Sequence, residues 1–269
     1  MTQISLETHT TQAGDRSKRP KLEVSNLSKS FPTQGKSLAV LQNINFQLYE
    51  SEFVCIVGAS GCGKSTLINI IAGLMQPTSG EVKVDGEIVL GPGPDRGMVF
   101  QNYTLYPWLT VAGNIGFGSR LRSLSAKQRN ERIAYFLDVV GLTRFAKAYP
   151  KQLSGGMKQR VAIARALANE PDVLLMDEPF GALDAQTKEQ MQQFLLDLWR
   201  QTRTTICTIT HDVEEAVFLS QRVFVMSAHP GEIKQEIVID LPQNRDVEIK
   251  LTAEFTAIKR EVMHCLRSC

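Results

Sequence analysis

The run Gly58-Ala59-Ser60-Gly61-Cys62-Gly63-Lys64-Ser65 carries the residue types and spacing that could do chemistry. Its glycines let the backbone turn so that successive N–H groups converge on one point, and a lysine and a hydroxyl follow at once. The run comes after an apolar, β-prone stretch, Phe53-Val54-Cys55-Ile56-Val57, and before a helical pattern from Thr66 to Gly73. A helix starting near Lys64 adds the partial positive charge of its N-terminus. In that context Lys64 would reach the β- and γ-phosphates of a nucleoside triphosphate, and the Ser65 hydroxyl would take one position on Mg2+.

Further downstream, Asp177-Glu178 follows Val173-Leu174-Leu175-Met176, which is apolar throughout, as a strand covered on both faces should be. An aspartate at such a strand end can hold Mg2+ through a metal-bound water opposite Ser65, and Glu178 can polarise an attacking water as general base. The segment Leu153-Ser154-Gly155-Gly156-Met157-Lys158-Gln159 places Ser154 where an N-cap belongs and two glycines where backbone can approach a ligand closely. Taken alone this is an ordinary capped helix; ahead of an Asp-Glu strand end it reads as a second anion site.

The elements that must position these groups follow from periodicity. Leu22-Glu23-Val24 and Ile44-Asn45-Phe46-Gln47-Leu48 alternate with period two, with Pro32 and Gly35 between them. Gly80 to Gly86 reads as a short strand ending in an Asp-Gly turn, Gly91-Pro92-Gly93-Pro94 as a breaker, and Gly97 to Phe100 as a buried strand. From Asn114 to Ala148 the pattern is mostly helical, with Ile133, Phe136, Leu137 and Val140 on one face. Helices are predicted over Met157 to Ala168 and Ala185 to Arg200, strands over Thr204 to Thr210 and Val223 to Ser227, and a last helix over Ala253 to Leu266. The fold class is α/β with a mostly parallel sheet, interrupted by a helical insertion near 102–153.

Composition narrows the classes. A hydrophobic content of 43% supplies a packed core, and a net charge of +2, with only the loose cluster Arg16-Ser17-Lys18-Arg19, gives no argument for nucleic acid. No apolar run approaches a membrane helix. Residues 1–20 are rich in Thr, Gln and Ser without an apolar core, and are expected to be a disordered tail rather than a secretory signal. The five scattered cysteines suggest neither a disulfide frame nor a zinc site, which favours a reducing compartment. Cys55 and Cys207 read as buried small hydrophobes, whereas Cys62, near a lysine and a helix start, reads as a reactive thiol.

Six elements in this order resemble the ATP-binding subunits of ABC transporters: the loop Gly58–Ser65, Gln101 after a strand, the LSGGMKQ segment at 153–159, Asp177-Glu178, Ala182-Leu183-Asp184, and Thr210-His211-Asp212. The resemblance implies a P-loop cassette over 21–253, with a mostly parallel RecA-like core sheet, an antiparallel β subdomain and the helical subdomain, then a C-terminal helix or tail at 254–269. It implies that Gly58, Ala59, Ser60, Gly61, Cys62, Gly63, Lys64, Ser65 and Thr66 line the ATP phosphates. Phe31 would stack on adenine, although the family more often has tyrosine there; a core-facing Phe31 is the other reading. Ser65, Gln101 and Asp177 would serve Mg2+, with Gln101 also linking to the membrane partner. Glu178 would be the base and His211 the γ-phosphate contact. Ser154, Gly155 and Gly156 would act in trans on ATP held by a second subunit, with Asp184 at the boundary.

The same resemblance implies a homodimer or a heterodimer with a second ATP-binding subunit, transmembrane permease subunits and a solute-binding protein as partners, and a peripheral place on the cytoplasmic face of the membrane. A soluble ABC ATPase of DNA repair or translation is the alternative. The repair type needs a long coiled coil between Gln101 and Ser154, and the translation type two cassettes. Gly91 to Gly97, Tyr106-Pro107-Trp108-Leu109-Thr110 and Ala228 to Ile233 resemble the nitrate/sulfonate/taurine importer group, although many relatives have Arg where His229 stands. Tyr103, Tyr106 and Trp108 fit packing against a permease helix or, equally, core packing. The solute stays open among nitrate, sulfonate, taurine, bicarbonate and a pyrimidine precursor, with nitrate slightly ahead.

Overall fold

The computed structural model describes residues 19–33, 36–120 and 124–268; the expected tail over 1–20 lies outside them apart from its last two residues, as does Cys269. Its strands form two sheets. The first is antiparallel, built from β1 (Leu22–Thr33), β2 (Lys36–Leu48), β4 (Ser79–Val84) and β5 (Glu87–Ile88) in the order β2-β1-β4-β5. Asp85 and Gly86, with φ of 49° and 82°, make the tight turn between β4 and β5 that the Asp-Gly pair predicts.

The second sheet contains β3 (Phe53–Gly58), β6 (Arg96–Val99), β7 (Val173–Asp177), β8 (Thr205–Thr210), β9 (Arg222–Met226) and β10 (Ile233–Val238), ordered β10-β9-β3-β8-β7-β6. Pairings from β9 through to β6 are parallel, and β10 closes the edge antiparallel to β9. Every residue of β3 and β8 is buried, the signature of a strand covered on both faces. Within β3 the side chains alternate. Phe53, Cys55 and Val57 face a core made with the helices, while Val54 and Ile56 face α1 (Lys64–Ile71) and the antiparallel sheet.

The helical side contains α4 (Gly155–Leu167), α5 (Ala185–Thr202) and α6 (Val213–Leu219), with α7 (Ala253–Ser268) docked on α6 and β9. Trp199 of α5 is a large anchor here, 1% exposed, edge-on to Phe53 and donating its indole N–H to Ser51 O at 3.2 Å. The expected amphipathic face of α7 is realised: Phe255 and Val262 are buried, and Ile258 and Leu266 pack partly buried beside them.

The insertion is more broken than its periodicity suggests. It holds α2 (Val111–Ile115), α3 (Ala126–Val139) and short 3-10 turns at Gly118–Arg120, Thr143–Phe145 and Pro150–Gln152. Ser125 and Gln128 form a reciprocal capping box that starts α3. β10, the strand after His229, is polar through its middle. Lys234, Gln235 and Glu236 are exposed on an edge strand, where charge discourages further pairing. Sequence periodicity also passes over α6, which is only seven residues long and buried along most of its length.

Candidate functional site

Parallel pairing brings the chemistry-bearing residues to one edge. Val57 lies opposite Thr210, Ile209 opposite Asp177, and Met176 opposite Val99. The carboxyl ends of β3, β8, β7 and β6 therefore finish level, and the loops that leave them carry the phosphate loop, His211, Glu178 and Gln101 in adjacent rows. The region outside the carboxyl ends of the strands is where open α/β sheets bind ligands.

The loop itself is shaped by Gly63, whose φ of 101° is closed to other residues and whose missing Cβ would stand 2.7 Å from Leu41 Cδ2. Gly63 is also the N-cap of α1 and makes no side-chain cap, so the first amides of the helix face the loop. Lys64 is buried and folds back into the loop, donating to Gly58 O at 2.8 Å and Ala59 O at 2.9 Å. Cys62 is buried as well, which removes the exposure that a reactive thiol needs. Cys55 and Cys207 are buried as their apolar neighbours predict; burial raises both thiols, that of Cys207 to about 12.

At this edge, Ser65 Oγ donates to Asp177 Oδ1 at 3.2 Å. Burial lifts the Asp177 carboxyl above its ordinary range; Ser65 and Lys64 pull it back, and the charge of Glu178 adds to the rise. Glu178 holds a left-handed φ of 42°, a strained setting for a residue with a side chain. Its Oε2 lies 3.0 Å from His211 Nδ1. Gln101 joins the same group: a Cβ on Gly181 would stand 3.6 Å from Gln101 Nε2 and 3.8 Å from Glu178 Oε2.

Ser154, Gly155 and Gly156 occupy a different place. Ser154 caps α4 by accepting from Met157 N at 3.3 Å and is exposed. Gly155 faces Leu183 and Tyr103, and buried Gly156 faces Thr187 and Met191. Asp184 caps α5 through Thr187 N at 3.0 Å, so the serine-glycine tip and the Asp184 turn form one surface. Phe31, towards the far end of the β1–β2 hairpin, is half-buried beneath Lys29 Nζ at 5.0 Å, which does not fit the core-facing reading.

Of the three aromatics after Gln101, Trp108 is 70% exposed, while Tyr103 and Tyr106 are half-buried. Tyr106 packs at a tilt against both Trp108 and Phe117, with ring centroids 5.6 and 4.4 Å away. Two side chains that motif reading missed brace this segment. Asn114, fully buried, accepts from Tyr106 N and donates to the carbonyls of Tyr106, Leu109 and Thr110. Arg165 donates to Thr104 O at 2.7 Å and lies over the Tyr106 ring. A polar asparagine amid apolar helix residues was the available signal for the first; nothing local marks the second.

A phosphate-binding loop at the tip of the central strand, an Asp-Glu pair on the next strand but one and a histidine between them define an ATP-hydrolysing cassette. The family model described as ABC transporter matches residues 41–181. The nitrate import ATP-binding protein NrtD of Synechocystis sp. is 55% identical over 252 residues, covering 91% of this chain and 95% of that protein. The aliphatic sulfonates import ATP-binding protein SsuB of Bacillus cereus is 46% identical over 242 residues, covering 90% and 94%. The dimeric structure of MJ0796, a bacterial ABC transporter cassette, superposes with a TM-score of 0.72 at 36% identity, covering 82% of this chain and 100% of that one. A dimeric post-hydrolysis state of MJ0796 bound to ADP and Pi gives 0.71. This chain belongs to the ABC transporter family, as an ATP-binding subunit that is an ATPase.

Proposed function

We propose that this chain energises import of a small oxyanion or similar polar solute, with nitrate or a sulfonate foremost. It works as one of two ATP-binding subunits on the cytoplasmic face of the membrane, with the cassette spanning 21–253. The import names of NrtD and SsuB support the solute class and do not favour a repair or translation ATPase. Among the described residues no helix is long and apolar enough to cross a membrane, so translocation requires permease subunits, served by a solute-binding protein.

The observation that carries the chemistry is the pairing of Glu178 with His211 at 3.0 Å beside the Ser65–Asp177 contact. Glu178 takes a proton from the water that attacks the γ-phosphorus; the bond to the β,γ-bridging oxygen breaks, and ADP and phosphate leave. His211 holds both the base and the γ-phosphate oxygens. Lys64 trades its loop carbonyls for β- and γ-phosphate oxygens. Gln101 orients the water from the far side, and Phe31 offers a face for adenine.

A hydroxyl and a carboxylate already in contact are the hard-oxygen pair that Mg2+ accepts, with phosphates and waters completing its shell, so Ser65, Asp177 and Gln101 fit that ion. When bound, Mg2+ supplies neutralisation of phosphate charge.

The surface made by Ser154, Gly155, Gly156 and Asp184 closes the phosphates of the opposite subunit, in a head-to-tail pair with an identical chain or a close sibling. ATP then bridges two surfaces, and its hydrolysis removes part of the bridge, so chemical free energy becomes subunit motion. Exposed Trp108, on the braced loop after Gln101, meets the permease.

The test is Glu178→Gln. Binding of ATP stays at the parent affinity, turnover falls by about two to four orders of magnitude, and a closed dimer accumulates in size-exclusion chromatography with ATP. Parent-level turnover would falsify the assignment of the base.

A further inference from the structure

A cluster of charged side chains lies behind His211, outside the groups assigned above. Lys188, in the first turn of α5, places Nζ 2.7 Å from Asp212 Oδ2 and 3.2 Å from Glu215 Oε2. Glu215 is only 2% exposed and Lys188 22%. Asp212 is the residue after His211 and serves two partners at once. Its Oδ1 caps α6 by accepting from Glu214 N and Glu215 N, and Oδ2 takes the Lys188 bridge. Its own amide donates to Thr210 Oγ1 at 3.1 Å. The peptide carrying His211 is thus held from β8 on one side and from α5 on the other.

The other end of the link is the Asp184 turn. Lys188 N donates to Asp184 O at 2.8 Å, the first hydrogen bond of α5, one residue beyond the Thr187 amide that Asp184 accepts. Lys188 therefore contacts the Asp184 turn through its backbone amide and Asp212 through its ammonium. An apolar contact would hold α5 against α6 at lower desolvation cost, since burying ions offsets most of their attraction. An ammonium shared between two carboxylates adds direction: it fixes how the His211 loop sits relative to the turn. Burial works against the charge on each group, yet the partners overcome it for two of them, leaving Lys188 above and Asp212 below its ordinary range. Gln192 and Lys250 extend the cluster to the C-terminal segment without touching His211.

We infer that Lys188 is a positioning residue: it ties the Asp184 turn, which faces the second subunit, to the loop that carries His211, so that the histidine is aligned when the two subunits close. This rests on the roles of His211 and Asp184 proposed above.

The experiment uses the full chain, steady-state ATPase rates and thermal unfolding. Lys188→Met lowers kcat about 10- to 100-fold, the size of effect that misplacement by an ångström produces, with KM for ATP within about twofold. Lys188→Arg, which keeps charge and reach, retains most of the turnover. Lys188→Met also strands Glu215, so the double variant Lys188→Met/Glu215→Gln recovers the lost melting temperature but not kcat. The inference is overturned if Lys188→Met keeps parent kcat, or if the double variant regains kcat along with stability. His211→Ala runs beside them. If it loses turnover while Lys188→Met does not, only the positioning role fails; if it keeps parent turnover, the reading of His211 fails and the positioning role with it.

Discussion

Gly156→Ala tests how closely the serine-glycine tip is seated on α5. Gly156 is buried in the first turn of α4, and a Cβ there would stand 2.9 Å from Thr187 Cγ2, with Met191 Cγ and Sδ at an ordinary 3.8 Å. Alanine is the better helix former by up to about 1 kcal/mol, less in a first turn. Overpacking a seated contact costs about 1–3 kcal/mol; a small shift of the Thr187 methyl within its present rotamer keeps the hydroxyl on Asp184 and puts this case at the low end. The net expectation is a destabilisation of about 0.5–1.5 kcal/mol, read as a shift in urea midpoint at unchanged slope. Thr187→Ser deletes the one atom that obstructs. In that background Gly156→Ala changes sign and stabilises by a few tenths of a kcal/mol, a coupling of about 1–2 kcal/mol across the cycle. ATP binding to the isolated subunit is untouched. Turnover falls in Gly156→Ala, because the tip is displaced from the surface it shares with Asp184, and returns with Thr187→Ser. An equal stability change in both backgrounds refutes the contact. Turnover that stays lost after stability is regained refutes the claim that the methyl acts through Thr187.

Ser154→Arg abolishes hydrolysis while nucleotide affinity of the isolated subunit, measured by calorimetry, is unchanged; equal loss of both argues against action in trans. Trp199→Ala empties a fully buried site against Phe53 and Ser51 and lowers unfolding free energy by about 3–5 kcal/mol in urea titrations. Asp212, whose carboxyl is held below the usual 3.8 against the opposing effect of burial by Lys188 and the α6 amides, contributes stability that is complete above that value. The unfolded chain binds the proton more readily, so the contribution disappears as pH falls through the lowered native value. Asp212→Asn is accordingly less stable near neutrality and shows a flatter acid limb in denaturant midpoints taken from pH 6 to pH 3; an unchanged limb counts against the Lys188 pairing.

Local sequence determined what the motif-bearing segments of this protein are, though not the short α6 or the breaks in the helical insertion. A glycine-lysine-serine run after a β-prone stretch can make little else than an anion-binding turn, and Asp177-Glu178 ends its strand because Val173 to Met176 are apolar on both faces. Residue type and short-range spacing carry that information, since backbone conformation at Gly63 or an N-cap at Ser154 depends on neighbours a few positions away. Tertiary structure decided what meets what. The strand order β3-β8-β7-β6 is a set of long-range pairings, and only that order sets His211 beside Glu178 and Ser65 against Asp177. The same packing buried Cys62, exposed the β10 edge, and built the Asn114 and Lys188 braces from residues that look unremarkable in the chain. Those outcomes turn on which surfaces exclude water, a property of the whole packed sheet and its helices rather than of any stretch of residues within it.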